Sequence, residues 1–380
     1  MSFDVLLTHP SADLYGSDRM ALETVRALIS EGLSVQVVLP KGGPLSEELL
    51  AAGATVLFHN APVLRKTMMT PWGIARYFLK FVSGVWAGRR IIRRSGARLT
   101  YVNTIVQPTW VLGSWLAHVP SVLHVREAEP SSSWLLRWGL TFPARFATAI
   151  IANSSATRDA MVASASSVAR RTSVVHNGKD WSPYFSRPFS GVRSPIRILY
   201  FGRLSPRKGV DLALDACSLL IAWGHPAHLT IAGGVYEGYE WYEAELREKA
   251  ARLGTPCEFL GFVENPRDLL GDADCVLVPS RQEPFGTTAA EAMAAMRPVI
   301  VADVGGLPEV VTDHVTGMVV PPDDPKALAH ACEELINSPA LADRIARAGY
   351  DDVIGRLSQR AYVDGIMDVV SSTLARDGAR

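Results

Sequence analysis

The segment IRILYFGRLSPRKGVDLALDACSLLIA (196–222) joins an apolar strand to an amphipathic helix through a loop of Gly, Pro and basic residues. The same alternation runs through the whole chain. Strands are predicted at 3–9, 34–40, 99–103, 120–125 and 148–154, and again at 196–202, 228–233, 257–262, 274–280 and 297–302. Apolar strands that alternate with helices indicate parallel sheets covered on both faces. We therefore expect an α/β fold.

The length of the chain, 380 residues, exceeds one ordinary hydrophobic core, so two domains are expected. A segment rich in Gly, Pro and Ser at 176–195 separates the two series of strands. The prediction is two Rossmann-like domains at 1–190 and 191–355, facing each other across a cleft, followed by a helical segment at 356–380. In such sheets, ligands bind at the carboxyl ends of the strands.

Composition is that of a globular protein, 48% hydrophobic and 20% charged. No transmembrane helix is predicted, because no run of about 18 apolar residues exists. Asp4 interrupts the apolar N-terminal run, so a signal peptide is not expected. The cysteines lack metal-binding spacing and are typical of buried thiols in a reducing cytoplasm; they are Cys217, Cys257, Cys275 and Cys332. A cytoplasmic protein is expected.

Two basic residues, Arg203 and Lys208, lie in the predicted strand-to-helix loop FGRLSPRKG (201–209). The positive end of a helix dipole follows this loop. Backbone N–H groups, a guanidinium and an ammonium together suit a diphosphate. The alternative is a solvated basic loop.

Two glutamates separated by seven residues stand in RQEPFGTTAAEAMAA (281–295). Glu283 precedes the predicted helix and would accept hydrogen bonds from sugar hydroxyls. Glu291 lies about two turns along the helix, where an acidic residue can bind a ribose diol. For Glu291, the alternative is one exposed carboxylate on a capped helix.

The same stretch predicts a helix start at Gly286, Thr287 and Thr288. The first N–H groups of a helix have no partner within it and lie at the positive end of its dipole. The backbone of these residues is therefore a second candidate cradle for phosphate.

Several motifs of the C-terminal half, in their order and spacing, resemble those of the retaining GT-B glycosyltransferases of family 4. They are FGRLSPRKG, LGFV, ADCVLVPS, EPFGTTAAEAMAAMRPVIVADVGGLPEVV and HVTGMVVPPDD. The pair Arg203 and Lys208 and the E-x7-E motif are donor-site signatures of that family. The resemblance implies that Arg203 and Lys208 hold the donor diphosphate, Glu283 the hexose 3- and 4-hydroxyls, and Glu291 the ribose.

The resemblance also implies that Val263, after LGF, meets the base through its backbone. Phe285, Gly286, Thr287 and Thr288 complete the implied donor site. The final helix would cross back to the first domain, as in similar proteins.

The first domain contributes fewer candidates. The resemblance suggests that Gly16 lets the backbone approach the donor phosphate. His124 ends a predicted strand, and similar enzymes have a histidine there that reaches the transferred sugar; a structural histidine is the alternative. Arg126 and Glu127 are candidate acceptor-binding residues, although Glu127 pairing with Arg126 is an equal alternative. The predicted catalytic residues are thus His124, Arg203, Lys208 and Glu283.

No metal site is predicted. Asp272 and Asp274 imitate the D-x-D motif of other glycosyltransferases, but they directly precede a strand. Asp323 and Asp324 precede a helix and are predicted to form a turn and an N-cap. The GT-B likeness implies metal independence, because basic side chains and helix ends neutralise the leaving diphosphate.

The expected function is transfer of a hexose from a UDP- or GDP-linked sugar to a hydroxyl of a glycan, lipid-linked or small-molecule acceptor, with retention of configuration. Such products fit cell-envelope polysaccharides or glycoconjugates. No nucleic-acid partner and no cofactor are expected. The alternatives are a GT-B sugar-nucleotide epimerase or phosphorylase, and a non-catalytic sugar-binding protein.

Charge is distributed unevenly although the net charge is zero: residues 1–190 carry 20 Lys and Arg against 11 Asp and Glu, and 51–125 contain no acid. Aromatic and basic residues are mixed at 70–96 and 131–147. This mixture predicts peripheral binding to an anionic membrane on its inner face. The alternative is an apolar core face with solvated arginines. The residues are Trp72, Arg76, Tyr77, Phe78, Lys80, Phe81, Trp86, Arg89, Arg90, Arg93, Arg94, Trp134, Arg137, Trp138, Phe142 and Arg145.

Overall fold

A computed structural model describes residues 2–14, 16–63, 71–127, 138–139, 141–235 and 238–378, without the side chains of 71–78 and 377–378. The chain divides into two compact units. The first comprises Met1–Lys179 with Gln359–Arg380, and the second comprises Asp180–Ser358.

The described part of the first unit contains a parallel sheet of order β3-β2-β1-β4-β5-β6-β7. Its strands are β1 Val5–Thr8, β2 Val35–Leu39, β3 Thr55–Phe58, β4 Leu99–Val102, β5 Ser121–Val125, β6 Ala149–Ala152 and β7 Thr172–Val174. Its helices are α1 Gly16–Ser30, α2 Pro44–Ala51, α3 Pro71–Ser95, α4 Pro108–Ala117, α5 Ser155–Ser164 and, from the end of the chain, α13 Gln359–Gly378. The central strands are buried on both faces, which explains their continuous apolar sequence.

The second unit contains a parallel sheet of order β10-β9-β8-β11-β12-β13 among its described residues. Its strands are β8 Ile196–Phe201, β9 Ala227–Ala232, β10 Cys257–Gly261, β11 Cys275–Val278, β12 Val299–Ala302 and β13 Met318–Val320. Its helices are α6 Val210–Ala222, α7 Glu240–Leu253, α8 Arg267–Asp272, α9 Thr287–Ala294, α10 Leu307–Val310, α11 Pro325–Asn337 and α12 Pro339–Arg356.

The predicted α/β fold class with parallel sheets is confirmed. Three strands were not predicted, namely β3, β7 and β13, and each lies at the edge of its sheet. They are short, and β3 and β7 are partly exposed. β3 and β7 are covered less completely than the central strands, and β13 has only three residues, so none of them carries a long apolar signal. The fourth edge strand, β10, was predicted.

The division between the units falls at Lys179 and Asp180, before the predicted boundary at 190. The intervening segment is bound to the second unit: Trp181 Nε1 donates to the carbonyl of Leu357 at 2.6 Å, and Arg187 Nε donates to that of Gly271 at 3.0 Å. The second division falls at Ser358, not 355. Beyond it, α13 packs on α1 of the first unit. No helix among the described residues is long and apolar enough to cross a membrane.

Candidate functional site

Glycines bring three loops together at the carboxyl edge of the second sheet. Gly209, after β8, has φ +69°, and a Cβ there would overlap the carbonyl oxygen of Pro279, after β11. A Cβ on Gly233, after β9, would overlap the carbonyl oxygen of Gly202. The close approach of these backbones requires residues without a side chain. The edge where parallel sheets bind ligands is therefore built from closely packed loops.

Lys208 and Glu283 meet at this edge. Lys208 ends the 3₁₀ turn Pro206–Lys208, and its Nζ donates to Oε2 of Glu283. Ser280 Oγ donates to the same carboxylate oxygen at 3.3 Å. Both side chains of the pair are mostly buried, yet each keeps a small exposed fraction. Residues from two predicted motifs, separated by 75 positions, thus form one ion pair that a ligand can reach.

Arg281 holds the two loops of this pair together. Its guanidinium donates to both carboxylate oxygens of Asp211, in the first turn of α6, at 2.9 and 2.8 Å. It also donates to the carbonyl of Pro206 at 2.8 Å. Burial raises the pKa of Asp211, but the hydrogen bonds and charge of Arg281, together with the Tyr242 hydrogen bond and the charge of Lys249, outweigh it, so the net pKa is lowered. The sequence alone does not reveal this contact, because no local pattern relates Arg281 to Asp211.

The start of α9 lies beside the same loops. Gly286 caps the helix with φ +115°, and a Cβ there would lie 2.7 Å from Leu307 Cδ2. Thr287 and Thr288 are half-buried, and Thr288 Oγ1 would lie 3.8 Å from a Cβ on Gly202. The helix therefore directs its first N–H groups and its positive dipole end towards the loop after β8.

Phe285 belongs to the hydrophobic core, with a 2% exposed side chain. It was predicted as a donor-site residue, but its side chain packs inward.

Gly305 and Gly306 support the backbone of Glu283. A Cβ on Gly305, which has φ +55°, would overlap the carbonyl oxygen of Glu283. The backbone N–H of Gly306 donates to that same oxygen at 2.9 Å. These two adjacent glycines, in ADVGGLPEVV, are the local sequence signal of this close approach. The two glycines allow the backbone of the loop after β12 to contact the backbone of Glu283.

Glu291 is buried on α9, and the hydroxyl of Tyr184 donates to its Oε1 at 2.9 Å. The alternative of an exposed carboxylate is therefore wrong. Val263 is half-buried after β10 and packs on the core that includes Phe285. Arg203 is half-buried after β8, where its carbonyl accepts from Tyr200 OH at 2.8 Å. Their roles in donor binding remain predictions.

Arg126 is the centre of a buried polar network in the first unit. Its Nη1 donates to Asn177 Oδ1 at 2.9 Å, and its Nη2 donates to Thr24 Oγ1 at 3.0 Å and to Tyr362 OH at 2.9 Å. These contacts join α1, the end of β7 and α13. Arg126 was predicted to contact the acceptor. The structure instead buries its guanidinium, which binds other residues of the protein.

His124 is fully buried at the end of β5. Its Nδ1 lies 2.7 Å from Tyr101 OH and 3.2 Å from Nη2 of Arg126. A guanidinium can only donate, so Nδ1 accepts and the neutral ring carries its proton on Nε2. Burial lowers the pKa of His124 well below 6.5, and the charge of Arg126 lowers it further. Nε2 has no hydrogen-bond partner among the described residues.

The network extends to two residues that sequence analysis did not single out, His9 and Asp18. Arg126 Nε donates to Asn103 Oδ1 at 3.0 Å, and Asn103 Nδ2 donates to His9 Nδ1 at 3.0 Å. His9 Nε2 then lies 2.7 Å from Asp18 Oδ1. His9 and Asn103 directly follow β1 and β4, and that position at strand ends was the available signal.

Glu127 accepts hydrogen bonds from the Thr104 hydroxyl and from the backbone N–H groups of Ile105 at 3.4 Å and Arg126 at 3.2 Å. Burial raises its pKa, and these hydrogen bonds oppose the rise only in part. The hydrogen bond from Arg126 to Glu127 thus comes from the backbone N–H of Arg126, and not from its guanidinium. Acceptor binding by Glu127 remains a prediction.

Gly16 starts α1, and a Cβ there would meet nothing within 4 Å. The packing of the described residues therefore gives no reason for a glycine at this position. Its approach to a donor phosphate remains a prediction.

Two family models match the chain. One, described as "Glycosyl transferase 4-like domain", matches residues 16–178, and the other, "Glycosyl transferases group 1", matches residues 187–352. The chain belongs to the group 1 glycosyltransferases. The match of the second model includes Lys208, Glu283 and Glu291, and so takes in the site at the carboxyl edge of the second sheet.

Relatives of this glycosyltransferase include two proteins of Mycobacterium tuberculosis. The glycogen synthase is 37% identical over 182 residues, which are 46% of this chain and 42% of that protein. The α-maltose-1-phosphate synthase is 27% identical over 297 residues, 70% of this chain and 76% of that protein. The match thus spans about two fifths of the length of the glycogen synthase.

Among solved structures, Anabaena HepE in complex with UDP and glucose superposes with a TM-score of 0.82 at 24% identity. The superposition covers 97% of this chain and 100% of that one. This similarity supports the GT-B fold of the glycosyltransferase.

The carboxylates of the D-x-D sequence have protein partners. Asp272 binds Arg187, and Asp274 accepts from Arg193 Nε at 2.7 Å and from the backbone N–H of Arg197 at 2.8 Å. Asp324 caps α11 by accepting from the N–H of Ala327 at 2.9 Å, and Asp323 accepts from Arg281 Nε at 2.5 Å. Among the described residues, no group of three or more potential ligands forms a metal site. Metal independence remains a prediction.

Proposed function

We propose that this glycosyltransferase moves a hexose from a UDP-linked sugar to an acceptor hydroxyl with retention of anomeric configuration. The observation that carries the proposal is the Lys208–Glu283 pair beside the start of α9. It offers a cation and helix N–H groups for phosphate and a carboxylate for sugar hydroxyls within one small area. UDP is preferred to GDP because the similar HepE structure contains UDP and glucose.

In this proposal, Arg203, Lys208 and the N–H groups of Thr287 and Thr288 bind the diphosphate. Negative charge develops there as the leaving group departs, so fixed positive groups lower the barrier. Glu283 binds hexose hydroxyls. The base meets the backbone of residue 263.

Glu291, on α9, binds the ribose. Its hydrogen bond from Tyr184 orients the carboxylate and leaves acceptor capacity for the ribose hydroxyls. Buried polar side chains held in this way are suited to a defined ligand geometry.

The transfer proceeds by displacement on one face of the sugar. The bond from the anomeric carbon to the leaving phosphate breaks, a bond to the acceptor oxygen forms on the same face, and the acceptor proton passes to the leaving phosphate. In this proposal Glu283 holds sugar hydroxyls and is not the nucleophile, and Lys208 keeps its carboxylate in place. His124 supports the transfer through its Nε2–H, which has no partner among the described residues.

We propose no metal requirement, because the basic groups and the helix N-terminus neutralise the leaving diphosphate. The acceptor is a glycan or lipid-linked hydroxyl, reached from the cytoplasmic side of a membrane. The charge distribution of the first unit supports this choice, since 51–125 carry basic residues and no acids.

A donor screen tests the proposal. UDP-, GDP- and dTDP-linked hexoses are incubated with the full chain, with and without glycan acceptors, and release of the nucleoside diphosphate is followed. We expect release from a UDP-sugar and an acceptor product with the donor's anomeric configuration by NMR. An inverted product contradicts retention. Conversion of the donor alone to its epimer, or sugar release that needs inorganic phosphate, assigns an epimerase or a phosphorylase.

A further inference from the structure

A continuous strip of aromatic side chains runs over the first unit; we call it the aromatic strip. Trp138 stacks on Phe142 with ring centroids 4.8 Å apart, Phe142 meets Phe146 at 5.7 Å, and Phe146 meets Trp115 of α4 at 5.0 Å. Trp115 and Trp138 are each 52% exposed. The strip therefore presents indole rings to solvent along its length.

Arg89 continues the strip onto α3. Its Nε donates to the carbonyl of Leu116, next to Trp115, at 3.2 Å, and its guanidinium lies 5.5 Å from the ring centroid of Trp86. Trp86 is 57% exposed. Three half-exposed tryptophans thus stand on neighbouring elements, with Arg89 between Trp86 and the backbone next to Trp115.

From residue 79 onwards, the outer face of α3 is first apolar and then basic towards the end of the helix. Leu79 is 73% exposed and Val82 43%. Farther along the same face, at spacings of three and four residues, follow the exposed residues Trp86, Arg90 and Arg93, with Arg94 beside them. The alternative of an apolar core face accounts for the buried Val85 and Ile92 of this helix, but not for its exposed apolar residues.

Close packing fixes the relation between α3 and α4. A Cβ on Gly113 of α4 would lie 3.0 Å from the backbone nitrogen of Arg89. A Cβ on Gly88 of α3 would lie 3.3 Å from the Trp110 ring. The two backbones approach closely because glycines lie where they cross. Trp86 and Trp115 therefore stand on one rigid surface.

This surface differs in its charge from the surroundings of an exposed tryptophan in the second unit. The segments 51–125 and 130–158, which contain the strip and α3, have no Asp or Glu. In the second unit, Trp241 is 55% exposed, but it is flanked by Glu240 and Glu243 in the first turn of α7. A solvated protein face usually mixes both signs. A face without acids is suited to an anionic partner.

We propose that the aromatic strip and the outer face of α3 dock on an anionic lipid bilayer. Tryptophan is suited to the membrane–water interface, and exposed Leu and Val can enter it. The arginines and Lys80 attract anionic headgroups within a Debye length of the surface. This inference does not depend on the donor reaction. The predicted residues Trp134 and Arg137 lie outside the described residues, as do the side chains of Trp72, Arg76, Tyr77 and Phe78, and they carry no part of it.

The experiment is co-sedimentation of the full chain with vesicles of phosphatidylcholine, with or without about 30% phosphatidylglycerol. We expect binding only to the anionic vesicles, and weakening by about tenfold or more between roughly 50 and 500 mM salt. Trp86→Ser/Trp115→Ser/Trp138→Ser should lower affinity by at least about tenfold. Arg90→Ser/Arg93→Ser/Arg94→Ser should also lower it and should remove most of the salt dependence.

Matched controls come from the second unit. Trp241→Ser removes an equally exposed indole, and Arg252→Ser/Arg344→Ser/Arg347→Ser removes the same number of exposed charges. Both should bind vesicles like the wild type. Absence of binding at low salt, or equal losses in strip and control variants, overturns the proposal. A dimer in analytical ultracentrifugation that Trp86→Ser dissociates would instead assign the strip to a second copy of this chain.

Donor hydrolysis, assayed without vesicles on the same preparations, separates the two proposals. Strip variants should retain it. A protein that binds vesicles but neither hydrolyses nor transfers sugar from any donor of the screen, with or without acceptors, would overturn the proposed reaction and leave the docking surface intact.

Discussion

Nη2 of Arg126 lies 3.2 Å from Nδ1 of His124. This contact fixes the buried imidazole as the Nε2–H tautomer, because the guanidinium has no acceptor to offer. Arg126 was expected to bind an acceptor, and its observed position makes it a positioning residue for His124. The same guanidinium binds Tyr362 of α13 at 2.9 Å, so the end of the chain takes part in holding the histidine.

The first prediction concerns pH. The pKa of His124 is lowered by burial and by Arg126, so the folded ring stays neutral while the unfolded ring gains a proton near pH 6.5. The unfolded state then binds more protons, and the free energy of unfolding falls as the pH drops below about 6.5. Urea unfolding at several pH values should show a smaller decrease for His124→Gln than for the wild type. Equal slopes, or an NMR titration of His124 near pH 6.5, would contradict the assignment.

The second prediction concerns the diphosphate. Lys208→Ala and Arg203→Ala should each lower kcat/KM by about 10²-fold, because each removes a charge that stabilises the departing phosphate. Lys249→Ala is the matched control, since Lys249 pairs with Asp215 at 2.6 Å elsewhere in the same unit. Steady-state kinetics with a UDP-sugar measure the effect. Near wild-type turnover in folded Lys208→Ala would remove Lys208 from the site.

The third prediction separates binding from covalent catalysis at Glu283. If the carboxylate only holds hydroxyls, Glu283→Gln should keep measurable turnover, since an amide can still donate and accept hydrogen bonds. No sugar adduct should form on the wild-type residue. Mass spectrometry of the enzyme quenched during turnover checks this. A glycosyl group trapped on Glu283 would replace the same-face displacement by a double displacement.

The central strands of both sheets and the edge strand β10 were predicted from the sequence, and the edge strands β3, β7 and β13 were not. β1 is entirely buried, so its continuous apolar run was an adequate signal. β3 and β7 lie at sheet edges with exposed residues, and their sequences resemble those of loops. A local sequence pattern reveals a strand when its residues are buried, and β3 and β7 have few buried residues.

The site divides in the same way. Lys208 and Glu283 stood in recognisable motifs, whereas Arg281 acts through Asp211, which lies 70 residues away. A contact across that separation has no local periodicity or spacing to reveal it. Arg126 was expected to contact the acceptor, whereas its guanidinium binds Thr24 of α1, Asn177 in the segment after β7 and Tyr362 of α13. Partners so far apart in the chain leave no local signal in the sequence.

The fourth prediction tests whether Gly305 supports the backbone of Glu283. Gly305→Ala places a Cβ against the Glu283 carbonyl, and its φ of +55° is unfavourable for alanine. Gly254→Ala is the control, because Gly254 has φ +63° but nothing within 4 Å of the new Cβ. Both variants carry the backbone strain of about 1 kcal/mol. Only Gly305→Ala should lower kcat/KM, by about tenfold or more, and equal kinetics for the two would contradict this role.

The last prediction concerns metal. Asp274 immediately precedes β11 and accepts from the N–H of Arg197 near the start of β8, so the D-x-D carboxylates lie at the amino edge of the sheet. Lys208 and Glu283 follow β8 and β11 at the carboxyl edge. An ion held by Asp272 and Asp274 would therefore sit across the sheet from the proposed donor diphosphate. Activity should persist in EDTA, and Asp272→Asn should change kcat/KM by less than about twofold, since it loses only an exposed ion pair with Arg187. Loss of activity in EDTA with recovery on addition of Mg²⁺ or Mn²⁺ would show that the reaction needs an ion, and loss in Asp272→Asn as well would identify this carboxylate as its ligand.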